Sequence, residues 1–171
     1  MNLTLCPPCL CVLTCQRHST HTQNNQAMFT EEYFMKQAYK EAEKAFEEGE
    51  VPVGALIVSD NQIIAKAHNQ TELLKDVTAH AEIIAITAAS DYLGTKYLSE
   101  CTMYVTLEPC IMCAGALYWA QLGKLVFGAS DEKKGFFRYG RELLHPKTTV
   151  LQGALEVECS GLLKEFFKAR R

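Results

Sequence analysis

The chain has 171 residues, of which 48% are hydrophobic and 22% are charged, with a formal net charge of -3 at pH 7. This length suits one domain with a substantial core, and the composition excludes a chain that is disordered throughout. No apolar run approaches the ~20 residues of a membrane-spanning helix, so we expect no membrane association of that kind. The charge is uneven, because residues 1–129 hold 8 Lys or Arg against 14 Asp or Glu, whereas residues 130–171 hold 9 against 6. The basic C-terminal part is consistent with binding to a phosphate backbone, but it is also typical of an ordinary protein surface.

The first 27 residues differ in composition from the rest of the chain. They contain four of the eight cysteines and end in a polar stretch without periodicity. We predict a disordered extension over residues 1–27 and a folded domain over residues 28–171. A second zinc site that includes Cys6 and Cys9 is the alternative, but Cys-Pro-Pro-Cys lacks the paired arrangement of structural zinc sites. The chain does not start with a basic segment and an unbroken apolar run, so we expect a cytoplasmic location.

Helical and strand patterns alternate along the remaining chain. Thr30 is a good N-cap for the first helix, and Asp60-Asn61 suits a two-residue hairpin turn. In chain order, the predicted elements are a helix over 30–48, strands over 53–59 and 62–68, a loop over 69–77, a helix over 79–92, a strand over 102–107, a helix over 110–121, a strand over 124–127, an irregular segment over 128–147, a strand over 148–152 and a helix over 155–171. This alternation predicts an α/β fold in which helices cover both faces of a mixed sheet.

Three candidate metal ligands lie in the first turns of two predicted helices. Cys110 and Cys113 are three residues apart, so both sulfurs face the same way, and a helix N-terminus favours the thiolate that binds metal. His80 lies in the first turn of the preceding helix. One nitrogen and two sulfurs leave the fourth position of a tetrahedral zinc ion to water, as in catalytic sites. Cys101 and His68 are possible fourth ligands that would close the site, but neither lies in a paired motif.

Glu82, two residues after the histidine, suits a proton carrier. Zinc lowers the pKa of bound water from about 15.7 to about 7, and a nearby carboxyl group can take the proton and deliver it to a substrate. Alone, His-Ala-Glu more often marks a helix start, and Cys-x-x-Cys can be redox-active or half of a structural site. Together, in this order and with Pro109 before the first cysteine, they match the signature of zinc-dependent nucleobase deaminases.

The resemblance becomes more specific over the span from Phe29 to Arg171. The segments that resemble the bacterial tRNA-specific adenosine deaminases are Glu50–Ala55, Asn69, Thr78–Glu82, Val105–Cys110, Cys113–Ala116, Val126–Ala129, Asp131 and Phe166–Arg171. The resemblance implies a three-layer α/β/α cytidine-deaminase-like fold with a central mixed five-stranded sheet. It also implies a homodimer with one zinc ion per subunit, and the hydrolytic conversion of adenosine to inosine at the wobble position of a tRNA anticodon loop.

The same resemblance implies roles for individual side chains. It makes Glu82 the proton carrier, and it suggests that the Ala81 backbone amide and the Asn69 side chain hold the base. The substrate-binding residues that it implies are Asn69, Ala81, Val51, Leu107, Asp131 and Lys133. Each also has an ordinary interpretation as a turn, core or solvated loop residue.

One segment departs from the family pattern. After Gly135, where the family commonly has small residues, this chain has Phe136, Phe137 and Tyr139. These aromatic rings can stack on an unpaired loop base or fill a subunit interface.

Two other functions remain open on the sequence alone. Guanine and other free-base deaminases share the metal motifs, and Tyr118-Trp119-Ala120 resembles guanine deaminases. The Thr-Leu-Glu-Pro-Cys run and the pair Arg170-Arg171 favour the tRNA enzymes instead. A zinc-stabilised binding module is the third possibility, although it would have no use for a proton carrier at Glu82.

Overall fold

A five-stranded mixed sheet forms the centre of the fold in the computed structural model, which describes residues 29–170. The strands are β1 (Gly54–Ser59), β2 (Gln62–His68), β3 (Thr102–Leu107), β4 (Lys124–Ala129) and β5 (Thr149–Gln152), in the order β2-β1-β3-β4-β5. β1 is antiparallel to β2 and β3, whereas β3, β4 and β5 are parallel. The carboxyl ends of β2, β3, β4 and β5 therefore share one edge of the sheet with the start of β1.

In the described part of the chain, five helices surround this sheet. They are α1 (Glu31–Glu47), α2 (Thr71–Leu74), α3 (Ala81–Leu93), α4 (Ile111–Trp119) and α5 (Glu156–Ala169). α1 and α5 contact each other and the sheet. α3 and α4 also contact each other and the sheet, but they pack against a different cluster of core residues. The predicted three-layer α/β/α arrangement is confirmed.

The alternation of side chains along the strands divides the core between the two faces. In β3, Met103 and Val105 pack with α3 and α4, while Tyr104 packs with α1. Gly54 lets α1 approach the sheet, because a Cβ at this position would lie 2.1 Å from the backbone oxygen of Ala38. This close packing gives the sheet edge a rigid support.

Most element boundaries differ from the prediction by one or two residues, and two segments predicted as irregular contain helical turns. The predicted loop over residues 69–77 contains the helical turn α2, β4 extends two residues further to Ala129, and the segment after β4 contains two short 3₁₀ turns at Phe136–Arg138 and Arg141–Leu143. α2 forms because the distant Glu50 carboxylate accepts hydrogen bonds from two of its backbone amides, at 2.8 Å each. The proposed extension over residues 1–27 lies outside the described residues. Within residues 29–170, no helix has the length and apolar character needed to cross a bilayer.

Candidate metal centre and substrate cavity

Two helix N-termini bring the predicted ligands to one edge of the sheet. His80 immediately precedes α3, and Cys110 immediately precedes α4; both have extended backbone conformations. Neither side chain caps its own helix, so the imidazole and the thiol are free to face each other. Cys113 lies in the first turn of α4 and is fully buried.

The three ligand atoms are spaced as a tetrahedral metal site requires. The Nδ1 atom of His80 lies 3.5 Å from Sγ of Cys113 and 3.8 Å from Sγ of Cys110. In a regular tetrahedron with Zn–S of about 2.3 Å and Zn–N of about 2.0–2.1 Å, a nitrogen and a sulfur lie about 3.6 Å apart. The donor set and its spacing therefore fit zinc.

Among residues 29–170, no fourth protein ligand joins this cluster. Within the described part of the chain, it is the one group of three or more His, Cys, Asp and Glu residues whose ligand atoms all lie within 4.8 Å of one another. His68 is paired instead with Glu48 at 3.0 Å and Glu41 at 3.6 Å, and Cys101 belongs to the core cluster. A three-ligand site of this kind leaves one metal position for solvent or substrate.

The local electrostatics favour a thiolate in the cluster. A hydrogen bond from Cys113, opposed by burial and supported by His80, lowers the pKa of Cys110 to about 4. The hydrogen bond with Cys110, together with burial, raises the pKa of Cys113. The pKa values of the two cysteines thus shift in opposite directions, because their sulfurs share one proton. The hydrogen bond with Cys110 also raises the pKa of His80. The pair thus holds one negative charge ready for a cation.

Glu82 lies beside the cluster and is almost completely buried, with 4% of its surface exposed. Burial raises the pKa of its carboxyl group, which favours the protonated form at this position. The side chain also interacts with Cys113. A carboxyl group whose environment resists ionisation next to a metal site suits a proton carrier.

A cavity of about 370 Å³ opens above these residues. Of the predicted site residues, the structure places the following in its lining: Val51, Asn69, His80, Glu82, Leu107, Cys110 and Asp131. Lining residues that the sequence analysis did not single out for this site are Val53, Thr71, Glu108, Lys134, Leu163 and Phe167. Leu163 and Phe167 come from α5, so the closing helix forms one wall of the cavity.

Asn69 and Ala81 are joined to each other in the structure. The side-chain oxygen of Asn69 accepts a hydrogen bond from the Ala81 backbone amide at 2.9 Å. Ala81 is fully buried and does not line the cavity, whereas Asn69 does. Their roles toward a base remain predictions.

Lys133 lies in a neighbouring groove rather than in the cavity. This groove, of about 550 Å³, also includes Lys164 and shares Leu107, Asp131, Leu163 and Phe167 with the cavity. The two spaces are therefore continuous, and Lys133 lies beside the entrance rather than at the metal.

The aromatic residues that depart from the family pattern have different environments. Phe136 is buried in the core and stacks on Phe137, with ring centroids 4.5 Å apart. Phe137 and Tyr139 are exposed. Of the three aromatic residues in this segment, only Phe137 and Tyr139 have rings accessible for stacking on a base or for an interface.

Arg170 is engaged within the chain. Its guanidinium group lies 4.2 Å from the centroid of the Phe166 ring and donates a hydrogen bond to the backbone oxygen of Gly49. Arg170 therefore ties α5 to the end of α1. Arg171 lies outside the described residues.

Comparisons with known proteins agree with this geometry. The family model of the MafB19-like deaminases matches residues 29–171. The tRNA-specific adenosine deaminase of Aquifex aeolicus is 51% identical over 145 residues, covering 82% of this chain and 95% of that protein. A solved structure from a study of A-to-I editing by tRNA:A34 deaminases at the wobble position has a TM-score of 0.72 and 42% identity, covering 77% of this chain and 99% of that one.

A guanine deaminase from Bacillus subtilis matches over a smaller part of the chain. It has a TM-score of 0.57 and 39% identity, covering 60% of this chain and 66% of that one. The sequence identity over most of both chains therefore favours the tRNA enzymes over the guanine deaminases. The chain belongs to the MafB19-like deaminases, in the group formed by the tRNA-specific adenosine deaminases.

Proposed function

We propose that this protein hydrolytically deaminates adenosine to inosine at the wobble position of a tRNA anticodon loop. The observation that carries the proposal is the buried Glu82 carboxyl group beside a three-ligand His-Cys-Cys cluster, at a cavity that can hold a single base. The similarity to tRNA-specific adenosine deaminases over most of both chains supports the choice of substrate.

The metal that we propose is one zinc ion per subunit. His80, Cys110 and Cys113 would hold it, since one imidazole and two sulfurs at this spacing suit zinc rather than a hard cation such as magnesium. When bound, zinc makes hydroxide available from water at neutral pH.

Glu82 accepts and donates the protons of the reaction in this proposal. Its burial favours the protonated carboxyl group, which can donate to a ring nitrogen of the base and later to the departing ammonia. In the carboxylate form, the same group can accept a proton from the attacking water. One side chain thereby serves both as base and as acid.

The cavity walls suit a flat, mostly apolar base with polar edges. We assign Val51 and Leu107 to its faces and Asn69 to its edge, because all three line the cavity. The Asn69 oxygen is occupied by Ala81, so the side-chain NH₂ group is the part that can donate to the base. In this assignment, Ala81 acts through Asn69.

An unpaired anticodon base suits the entrance of the cavity. Taking such a base out of its stack costs little free energy, whereas the same step in a duplex costs a few kcal/mol. Asp131 lies at the junction of the cavity and the groove, and Lys133 and Lys164 line the groove beside it. We propose that these lysines lie close to the phosphates that flank the reacting nucleotide.

We further propose that residues 28–171 form the deaminase domain, that two copies form a homodimer, and that the enzyme acts on tRNA in the cytoplasm. Support for a dimer comes from large apolar side chains exposed outside the cavity and the groove, because exposed apolar surface often marks an interface. Those side chains are Leu73, Leu74, Val77, Ile111 and Trp119.

The test is incubation of the zinc-loaded protein with total tRNA, followed by mapping of inosine. We expect inosine at a wobble adenosine, conversion of the isolated anticodon stem-loop, and no conversion of free adenosine or guanine. Conversion of free guanine without conversion of the stem-loop would support the guanine deaminase alternative. A protein that binds zinc but converts neither would be a binding module.

A further inference from the structure

A buried carboxylate joins the metal-ligand segment to the loop at the cavity entrance. Glu108 is 6% exposed and lies two residues before Cys110. One of its oxygens accepts a hydrogen bond from the backbone amide of Asp131 at 3.0 Å, and the other accepts one from the amide of Phe137 at 2.9 Å. Both oxygens of Glu108 are therefore engaged with the two ends of the segment 131–137.

The middle of this loop lies directly against the same carboxylate. A Cβ atom on Gly135 would come within 2.3 Å of Cδ and Oε1 of Glu108. The backbone of Gly135 has φ -60° and ψ 147°, an ordinary conformation for any residue, so the close approach rather than the backbone requires glycine here. The carboxylate and the loop thus form one packed unit.

The loop in turn places groups at the cavity and the groove. Asp131 lines both spaces, and its side chain accepts hydrogen bonds from the backbone amides of Lys133 and Lys134 at 2.9 and 3.0 Å. Holding the Asp131 amide in place therefore fixes the direction of this side chain and the course of the two lysines.

We propose that Glu108 is a positioning residue that holds the loop 131–137 in the conformation that binds substrate. It acts through the backbone of Asp131 and Phe137, because both carboxylate oxygens already accept hydrogen bonds from that loop. The inference rests on the proposed function for its kinetic consequence, whereas its structural consequence can be measured without any substrate.

The variant Glu108→Gln tests this proposal in the full-length, zinc-loaded protein. The amide NH₂ group would face a backbone N–H group, so one of the two hydrogen bonds is lost and the loop opens more often. If the binding conformation is then populated about one-tenth of the time, KM for the anticodon stem-loop rises about tenfold while kcat stays within about twofold. Amide hydrogen exchange at Asp131 and Phe137 should also become faster, because exchange proceeds from the open loop, with zinc content unchanged.

Glu132→Gln is the matched control for charge. It removes an equal charge from the loop that Glu108 holds, but its side chain is exposed at the groove and accepts none of the loop's backbone hydrogen bonds. Loss of a negative charge near an RNA strand should leave KM unchanged or lower it. We therefore expect KM to rise in Glu108→Gln but not in Glu132→Gln. An effect of charge alone would change KM in the same direction in both variants.

Gly135→Ala provides a second route to the same test if Glu108→Gln fails to fold. We expect faster exchange at Asp131 and Phe137 in this variant, whereas Gly161→Ala, where a Cβ meets nothing within 4 Å, should leave both amides unchanged. Unchanged exchange and KM in Glu108→Gln, or a loss of zinc with unchanged exchange, would overturn the proposal. If the unaltered protein did not convert the stem-loop, the proposed function would fail, while the exchange data would still decide the role of Glu108.

Discussion

The side-chain oxygen of Asn69 accepts a hydrogen bond from the Ala81 backbone amide at 2.9 Å, which ties the end of β2 to the first turn of α3. The first amides of a helix have no partner within the helix, and His80 does not supply one as the residue before α3. Asn69, twelve residues earlier in the chain than Ala81, supplies the acceptor for this amide instead. The position of the metal-ligand histidine therefore depends on a residue that we also assign to the base.

Two substitutions separate these roles of Asn69. Asn69→Asp keeps an acceptor for the Ala81 amide but removes the NH₂ donor, so we expect normal zinc content and thermal stability with at least a tenfold loss in kcat/KM. Asn69→Ala leaves a buried amide without a partner, which should also lower the free energy of unfolding by about 1–3 kcal/mol. Thermal unfolding and stem-loop kinetics measure the two effects. Equal loss of stability in both variants would contradict the division of roles.

Glu82→Gln is expected to abolish most of the turnover without loss of the metal. The amide is nearly the same size as the carboxyl group, but it cannot carry a proton between water and base. Removing such a group typically costs about 10²–10⁴-fold in rate. Zinc analysis and inosine formation in single-turnover conditions provide the measurements.

The matched control for this variant is Glu72→Gln. The Glu72 side chain is exposed on α2 and lies outside the cavity lining, so the same chemical change should leave kcat within about twofold. Substantial activity in Glu82→Gln, or equal loss in both variants, would remove Glu82 from the mechanism.

The sequence was sufficient to predict the cluster of candidate metal ligands because they lie in short local motifs whose spacing has a direct chemical meaning. The positions of these residues at helix starts and the order of the two motifs were enough to predict that His80, Cys110 and Cys113 lie together. The alternation of strands and helices likewise predicted the layers of the fold. These features depend on residues close in sequence or on a repeating pattern.

Other features depend on contacts that no local pattern reveals. Leu163 and Phe167 line the cavity, but in the sequence they are ordinary apolar positions of an amphipathic helix. Glu50 and Glu108 are buried acceptors for distant backbone amides, a role without a spacing signature. The charge of Arg170 is visible in the sequence, while its contacts with Phe166 and Gly49 are not.

Removal of the metal is expected to stop activity while leaving most of the fold intact. The ligands lie at an edge of the sheet, whereas the core continues through α3, α4 and the strands away from the site. A structural zinc site, in contrast, unfolds its domain when it is stripped. After dialysis against a chelator, far-UV circular dichroism should change little and zinc should restore activity.

The melting temperature after metal removal gives a second measurement. Binding of a ligand at 100 times its dissociation constant stabilises a folded protein by about 2.7 kcal/mol, so the chelated protein should melt at a lower temperature. The melting temperature should then rise with the logarithm of the free zinc concentration. Complete loss of secondary structure at room temperature would contradict a mainly catalytic metal.

The ion pair between Glu31 and Lys124, 2.5 Å apart, should contribute stability that depends on pH. Burial alone would raise the pKa of Glu31, but hydrogen bonds from Lys124 and Tyr104 outweigh it and lower this pKa below its ordinary value of 4.5. A carboxyl group with a lowered pKa in the folded state stabilises the fold above its unfolded pKa and loses this effect as pH falls through the folded value. Glu31→Gln should therefore be less stable than the unaltered protein at pH 7, and the difference should shrink below about pH 4.5. Urea unfolding at several pH values measures the difference, and one that is independent of pH would contradict the ion pair as its source.

Arg170 and Lys133 should respond differently to substitution, because one is bound within the chain and the other lines the groove. Arg170→Ala removes a cation–π contact and a hydrogen bond, so we expect a loss of about 1–2 kcal/mol in the free energy of unfolding. Lys133→Ala should leave stability unchanged but remove one phosphate contact, which reduces the slope of log K against log salt for the stem-loop by about 0.7–1. Thermal unfolding and binding titrations at several salt concentrations measure both quantities for both variants. A reduced salt slope in Arg170→Ala with no change in stability would instead place that residue at the RNA surface, since a guanidinium group held by Phe166 and Gly49 cannot be lost without cost to the fold.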